Sequence, residues 1–186
     1  FTQAAFSRAN KPFTDERLPR NYVPFNVQAI GNDIVVTYAL HFPGNPFETP
    51  GPGLGFVNIY SSKGKLLRRL EHGDWLNAPW GVALAPLAGK FSHRLLVSNF
   101  SAGGTTQSAG FISAYDLATG KFEGVLQDTN GKALSINGIW SISFANSATP
   151  NSYDPDEAPA SELYFTAGPN DETNGLFGTI TPAAKQ

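Results

Sequence analysis

The sequence contains no cysteine, which excludes a disulfide framework and any metal site built from thiolates. It also contains no methionine and begins at Phe1. Because a primary translation product begins with methionine, we expect processing or truncation to have created this N-terminus, with any signal peptide already removed. No apolar stretch reaches the ~18 residues of a membrane-spanning helix, so no membrane span is expected.

Charge is also scarce. Charged residues make up 15% of the chain, and the formal net charge is -2. The adjacent Arg68 and Arg69 are flanked by leucines, a pattern typical of a strand edge and not of a phosphate-binding track. We therefore expect no nucleic-acid partner. The sequence also lacks a Gly-x-Ser-x-Gly elbow, a His-Glu-x-x-His helix and a phosphate-binding loop with lysine.

Hydrophobic residues, glycine and proline are plentiful. The hydrophobic fraction is 41% of 186 residues, enough for one domain with a core. The 19 glycines and 14 prolines favour many short strands joined by turns.

The sequence contains three copies of one repeat. The same 55-residue spacing separates Pro24 from Pro79 and Gly55 from Gly110. Each repeat contains short β-branched and aromatic runs without helical periodicity. Three successive runs recur in every repeat, at 24–27, 79–82 and 139–142, at 34–37, 95–98 and 163–166, and at 55–57, 110–112 and 175–177. A fourth run recurs twice, at 65–68 and 121–124.

Four short strands per unit at this period predict an all-β fold of the β-propeller type, with about three four-stranded blades in this chain. A β-sandwich is the alternative, but it does not explain a matched repeat. The predicted units are blades at 23–74 and 75–134 and a three-stranded blade at 135–186, lengthened by a polar insertion at 147–160. Residues 1–22 would hold an orphan fourth strand, with Phe13 at the position of Leu70 and Leu126, and a connecting loop.

Three blades cannot close a ring, because propellers have four to eight. An open sheet edge would also invite uncontrolled pairing. We therefore expect a second polypeptide to complete the propeller, either the N-terminal half of the same precursor or a second copy in a homodimer.

Several segments resemble an uncharacterised family of secreted, NHL-like six-bladed propeller proteins. The segments that carry the resemblance are 13–15, 24–28, 51–57, 76–81, 165–172 and 175–178. The resemblance implies a six-bladed ring, of which this chain would be the C-terminal half, and an extracellular location. It implies no reaction, so no catalytic residue can be assigned.

A propeller places its function on one face of the ring, where the loops before each first strand meet the loops between second and third strands. Those loops contain His41, Glu48, His72, Asp74, Trp75, Asn77, Asp128, Asn130, Asn137, Asn170, Asp171 and Glu172. Oxygen donors among them, at Asn77, Asn137, Asp171 and Glu172, suit a Ca²⁺ ion in the channel mouth. The same residues also commonly cap turns, which is the simpler interpretation.

Trp75 lies beside Asp74 and Asn77 and is a candidate platform for a glycan, or else a hydrophobic plug over the blade. His41 and His72 are candidate ligand-binding or acid–base groups, although exposed loop residues without such a role are the favoured interpretation. By contrast, Trp80, Trp140 and Phe25 share one repeat position and are predicted to pack between blades.

Asn99 opens an Asn-Phe-Ser triplet and is a candidate glycosylation site. For the whole protein we expect a secreted, non-enzymatic binding module with a glycan or protein ligand. A metal-dependent hydrolase of the lactonase type, using a Ca²⁺-like ion, is the alternative. A defence or storage protein remains a third possibility that the sequence does not rank.

Overall fold

A computed structural model of the chain describes residues 12–86, 90–100, 109–144 and 162–183. The described residues form an all-β fold. Its strands are β1 (Tyr22–Ile30), β2 (Asp33–Leu40), β3 (Gly55–Ser61), β4 (Leu66–Arg69), β5 (Pro79–Leu84), β6 (Arg94–Asn99), β7 (Ala109–Gly110), β8 (Ile112–Asp116), β9 (Phe122–Val125), β10 (Ile136–Asn137), β11 (Ile139–Phe144), β12 (Leu163–Ala167) and β13 (Leu176–Ile180).

The strands form three antiparallel sheets in which each strand pairs with its neighbour along the chain. Sheet 1 has the order β1-β2-β3-β4, sheet 2 has β5-β6-β8-β9, and sheet 3 has β11-β12-β13. The short strands β7 and β10 pair separately and join the segment before β8 of sheet 2 to the segment before β11 of sheet 3. The predicted repeat of four, four and three strands is therefore confirmed.

The sheets stack in chain order, because alternate residues of each strand point to opposite neighbours. Val35 and Val57 of sheet 1 pack with Val82 and Val97 of sheet 2. Side chains on the opposite face of sheet 2 pack with sheet 3, and this second core contains Ala83, Leu96, Ile112, Ala114, Ile139, Ile142 and Leu163. Sheet 2 is thus covered on both faces, and the described residues form a stack of three sheets and no closed ring.

Each first strand carries a one-residue bulge against the second strand of its sheet. The register shifts between Pro24 and Asn26 in β1, and within 79–82 and 139–142 in β5 and β11. The repeated aromatic residue lies at the bulge each time. The rings of Phe25 and Trp80 are 4.4 Å apart across sheets 1 and 2, which confirms that this position packs between sheets.

The N-terminal segment crosses sheet 1 one residue out of the predicted register. The Phe13 N–H donates to the Gly64 carbonyl at 2.8 Å, just as the Glu71 N–H donates to the Gly120 carbonyl at 2.8 Å. Phe13 therefore corresponds to Glu71, and the prediction that it corresponds to Leu70 is wrong. The difference shows in burial, since Phe13 is 42% exposed and Leu70 only 2%. The predicted orphan strand before residue 12 and the insertion at 147–160 lie outside the described residues.

Candidate functional site

The loops that connect the strands meet at one end of the stack, which we call the loop face: residues 41–54, 70–78, 127–138 and 168–175. The Ala78 N–H donates to the Leu54 carbonyl at 3.0 Å, joining the loop before β5 to the loop between β2 and β3. Between sheets 2 and 3, the pairing of β10 with β7 joins the segment before β11 to the segment before β8. Loops of adjacent sheets that were predicted to share one face are therefore joined by backbone contacts at both junctions between sheets.

A left-handed residue precedes the first strand of every sheet. Asn21, Ala78 and Gly138 have φ of 68°, 43° and 61°. Their carbonyls accept hydrogen bonds from the residues that directly follow the second strands, which are His41, Phe100 and Gly168. This repeated turn sets where each loop leaves its sheet. It also fixes the backbone of His41 on the loop face.

Asn77 and Asn99 form a buried polar junction beneath the loop face and are 3% and 1% exposed. The Asn77 N–H donates to Asn99 Oδ1 at 2.9 Å, and Asn77 Oδ1 accepts from the Gly51 N–H at 2.7 Å. Asn77 Nδ2 is buried and has no hydrogen-bond acceptor within the described residues. Asn77 therefore holds two loops together, and its side chain is not exposed to a ligand.

Asn99 is fully engaged in this junction. Its amide nitrogen donates to Ser113 Oγ at 3.0 Å and lies 3.4 Å from the carbonyl oxygens of Val97 and Phe111. A buried amide with these contacts has no room for a sugar chain. The geometry therefore argues against a glycan on Asn99 in the folded protein.

His72 and Asp74 lie in the loop that follows β4. The His72 ring stacks on Phe56 at 4.5 Å between ring centroids, and Nε2 lies 2.8 Å from the Gly53 carbonyl oxygen, to which it donates. Asp74 is exposed beside the same glycine. His72 thus fastens two loops to each other.

Asp128 stabilises its own turn in the loop before β10. Its carboxylate accepts hydrogen bonds from the N–H groups of Asn130 and Lys132.

Trp75 packs into the interior between sheets 1 and 2. Its ring stacks on Phe122 at 4.0 Å between centroids and 7° between planes, and its Nε1 donates to the Tyr115 hydroxyl at 2.9 Å. A Cβ on Gly73 would lie 2.4 Å from the six-membered part of the ring. These contacts favour the plug over the glycan platform, because the face stacked on Phe122 cannot also stack on a sugar.

The loop between β12 and β13 contains a turn of left-handed helix. Asn170, Asp171 and Glu172 have φ of 57°, 52° and 61°, and the Glu172 N–H donates to the Gly168 carbonyl at 3.2 Å. Left-handed backbone costs roughly 1–2 kcal/mol per residue when a side chain is present. Such strain persists where the surroundings determine the conformation, and it is concentrated at functional sites.

The left-handed turn brings Glu172 against sheet 3 and towards the loop of sheet 1. Glu172 Oε1 accepts from Trp140 Nε1 at 3.0 Å. Burial raises the pKa of the Glu48 carboxyl, the negative charge of Glu172 raises it further, and His41 opposes the rise. Glu172 and His41 therefore each lie within electrostatic reach of Glu48. Glu172 comes from the loop of sheet 3, whereas Glu48 and His41 share the loop between β2 and β3 of sheet 1.

Two exposed phenylalanines project from the same loop of sheet 1. Phe42 is 46% exposed and Phe47 is 64% exposed. The loop is closed at its base by the Thr49 N–H, which donates to the Leu40 carbonyl at 2.7 Å, and Asn45 Oδ1 accepts from the Phe47 N–H at 3.2 Å. The two rings were not among the site residues predicted from the sequence, which in this loop were His41 and Glu48. The signal was an aromatic residue at each end of a Pro- and Gly-rich loop.

The described residues contain no group of three or more His, Asp or Glu side chains that could hold a metal ion. Of the four oxygen donors chosen for a Ca²⁺ site, Asn77 is buried in its own junction, and Asp171 and Glu172 are exposed in the left-handed turn. Asn137 lies in β10, where it pairs with Ala109. The structure thus places these four residues in three different environments.

A membrane-spanning helix is absent from the described part of the chain.

Comparison with known proteins gives relatives without an assigned function. The chain is 29% identical over 169 residues to the uncharacterised protein R648 of Acanthamoeba polyphaga mimivirus, covering 90% of this chain and 38% of the viral protein. For protein R640 of the same virus the identity is 33% over 165 residues, covering 88% and 27%, and for L690 it is 28% over 175 residues, covering 91% and 42%.

The chain therefore spans less than half the length of these relatives. No protein-family model matches the chain, and no solved structure matches it. The chain is homologous to uncharacterised mimivirus proteins.

Proposed function

We propose that this chain forms about three consecutive blades of a secreted β-propeller of the NHL-like, six-bladed kind, and that it binds a glycan or protein ligand on its loop face. The propeller arrangement is supported by three antiparallel sheets that follow each other in the chain and stack face to face. It is also supported by the bulge that recurs at the inner aromatic residue of each first strand.

The path of the N-terminal segment supports a further blade before sheet 1. Glu71 follows the last strand of sheet 1 and hydrogen-bonds to the Gly120 turn of sheet 2. Phe13 makes the same contact with the Gly64 turn of sheet 1. By this equivalence, Phe13 holds the place of a residue that directly follows the last strand of a preceding sheet.

The observation that carries the binding function is the loop from 41 to 48. It presents two exposed aromatic rings, Phe42 and Phe47, next to the half-buried carboxyl of Glu48. The negative charge of Glu172 reaches Glu48 from sheet 3. Exposed aromatic side chains beside a few polar groups are typical of ligand sites.

This arrangement suits a carbohydrate. An aromatic ring offers an apolar face to the C–H face of a sugar, and carboxylates accept hydrogen bonds from its hydroxyl groups. It would also suit a protein segment with an apolar anchor and a basic residue, since aromatic anchors dominate protein interfaces. No observation within the described residues favours the hydrolase with a Ca²⁺-like ion.

The test is a glycan array read with labelled protein, together with a protein-interaction screen. We expect a ligand whose affinity falls at least tenfold in the Phe47→Ala and Glu48→Gln variants. The matched control is Leu67→Ala, which truncates a side chain of similar exposure, 48%, on β4 and away from the loop face. A ligand whose affinity all three variants leave unchanged would show that binding lies elsewhere.

A further inference from the structure

Three asparagines of the chain are directly followed by glycine: Asn130, Asn137 and Asn174. Asparagine before glycine is the dipeptide that deamidates most readily, because glycine has no Cβ to shield its backbone nitrogen from the asparagine side chain. In this reaction the glycine nitrogen attacks Cγ of the side-chain amide. Its rate in a folded protein depends on a free nitrogen, a backbone with room to rotate, and a donor that stabilises the charge developing on Oδ1.

Asn130 is exposed but held in a closed turn. Its own N–H donates to Asp128 Oδ1 at 2.9 Å, and the N–H of Gly131 donates to the Asp128 carbonyl at 3.0 Å. The nitrogen that would attack is therefore already hydrogen-bonded, and the backbone is fixed on both sides of the peptide bond. Exposure alone does not make this dipeptide reactive.

Asn137 is held in a closely packed part of the loop face. It pairs with Ala109 through the strands β10 and β7, and the following Gly138 is buried. The Gly138 carbonyl accepts from the Gly168 N–H at 2.8 Å, and a Cβ on Gly138 would overlap the Gly168 carbonyl. These backbone contacts prevent the rotation that ring closure requires.

Asn174 and Gly175 have neither restraint. Both are exposed between the left-handed turn and β13. The N–H of Gly175 makes no hydrogen bond within the described residues, and a Cβ added there would meet nothing within 4 Å. The attacking nitrogen is therefore free, and the backbone around it has space to rotate.

The side-chain amide of Asn174 is also polarised by a neighbour. Its Oδ1 accepts from Asn170 Nδ2 at 3.0 Å. Asn170 is itself fixed, because its carbonyl accepts from the Thr173 hydroxyl at 2.7 Å and from the Thr173 N–H at 3.2 Å. Attack on Cγ places negative charge on Oδ1, where a donor that is already in position stabilises it.

We propose that Asn174 is a site of intramolecular deamidation, promoted by the amide of Asn170. The Gly175 nitrogen bonds to Cγ of Asn174, the Cγ–Nδ2 bond breaks, and the displaced proton leaves with Nδ2 as ammonia. Water then opens the five-membered succinimide at one of its two carbonyls, which gives aspartate or isoaspartate. The proposal is independent of the ligand proposed above.

Both products change the loop face near Glu172, whose Oε1 accepts from Trp140 Nε1. Aspartate at position 174 adds a negative charge two residues from Glu172. Isoaspartate also inserts a methylene group into the main chain directly after the left-handed turn. The loop from 168 to 175 therefore gains charge as the protein ages.

The first test follows all three sites while the folded, full chain is kept at mildly alkaline pH. Digestion at acidic pH and peptide mass spectrometry, with chromatographic separation of aspartate from isoaspartate, give the rate at each site. We expect Asn174 to react at least about tenfold faster than Asn130 and Asn137, whereas in the urea-unfolded chain the three rates should agree within about threefold. A folded protein in which Asn130 or Asn137 reacts as fast as Asn174 would overturn the proposal.

Two variants test the mechanism. Asn170→Ala removes the donor to Oδ1 and should slow the reaction at Asn174 by at least about threefold. Gly175→Ala shields the attacking nitrogen and should slow it as well. The matched control is Asn45→Ala, which removes an exposed asparagine from another loop of the loop face and should leave the rate at Asn174 unchanged. An unchanged or faster reaction in Asn170→Ala would show that the Asn170 amide does not promote deamidation.

Discussion

Arg69 binds the carboxylate of Asp15 through two guanidinium nitrogens, Nε and Nη2, both of which donate to Oδ2. Only 1% of the Asp15 side chain is exposed, and the same oxygen accepts from Asn58 Nδ2 at 3.0 Å. Because Arg69 ends β4, the ion pair fastens the segment before β1 across the outer face of sheet 1. Asn58 extends the network inwards to the hydroxyl of Tyr60, which in turn lies 2.8 Å from that of Tyr38.

The Asp15→Asn variant should lose about 2–4 kcal/mol of unfolding free energy, because it leaves the Arg69 charge without its partner. Burial alone would raise the pKa of Asp15, but hydrogen bonds from Arg69, Arg17 and Asn58 bring it below its ordinary value. The contribution of Asp15 is therefore present above the pKa of the unfolded state and is lost as the pH falls through the folded pKa. Urea denaturation at pH 7 and pH 3 measures both effects.

The control for this variant is Glu16→Gln, which removes a neighbouring exposed carboxylate. It should change the unfolding free energy by less than about 0.5 kcal/mol at either pH. Equal losses from the two variants would show that the Arg69 contact contributes no specific stability.

The Glu172→Gln variant should lower the pKa of the Glu48 carboxyl towards its ordinary value. The negative charge of Glu172 is one of the causes that raise this pKa, and the variant removes it. Burial, the larger cause, still raises the pKa in the variant. Since the folded pKa of Glu48 is raised, its contribution to stability is present below the unfolded pKa and is lost as the pH rises through the folded pKa. Titration of the Glu48 carboxyl carbon by NMR gives the pKa directly, and an unchanged value would place the two loops farther apart.

The Gly81→Ala variant should destabilise the chain by about 3 kcal/mol. An added Cβ would lie 2.6 Å from the Ile142 nitrogen and 2.7 Å from the Trp140 carbonyl oxygen. Both are backbone atoms, so no side-chain rotation can relieve the overlap. Gly175→Ala is the control, because a Cβ there meets nothing within 4 Å and its φ is not positive. Thermal unfolding compares the two, and similar melting temperatures would contradict the close stacking of sheets 2 and 3.

The strands were predictable from sequence because each is a short β-branched or aromatic run between turn formers, and the repeated spacing aligned them. The register at Phe13 was not, because it is set by a backbone hydrogen bond to Gly64, which lies far along the chain. The partnership of Trp140 with Glu172 depends on a left-handed turn of three non-glycine residues, which has no reliable sequence signal. Trp75 was ambiguous because its ring partner, Phe122, lies on a different strand.

Asn99 should carry no glycan in folded protein secreted from a eukaryotic host. Its side chain is 1% exposed, and its amide nitrogen already donates within the buried junction with Asn77 and Ser113. Peptide mass spectrometry of the folded fraction measures occupancy at this residue. A substantial glycosylated fraction at Asn99 would mean that the buried junction of Asn77 and Asn99 opens in solution.

The most direct test of the central claim, that the three sheets are consecutive blades of a propeller, is an experimental structure of the whole protein. Val27 on the outer face of sheet 1 and Phe177 on the outer face of sheet 3 are 62% and 68% exposed in this chain. The account predicts that Val27 and Phe177 are both covered by neighbouring sheets, to the few per cent of exposure that Val82 and Ile112 already have. A whole protein in which both side chains face solvent would contradict it.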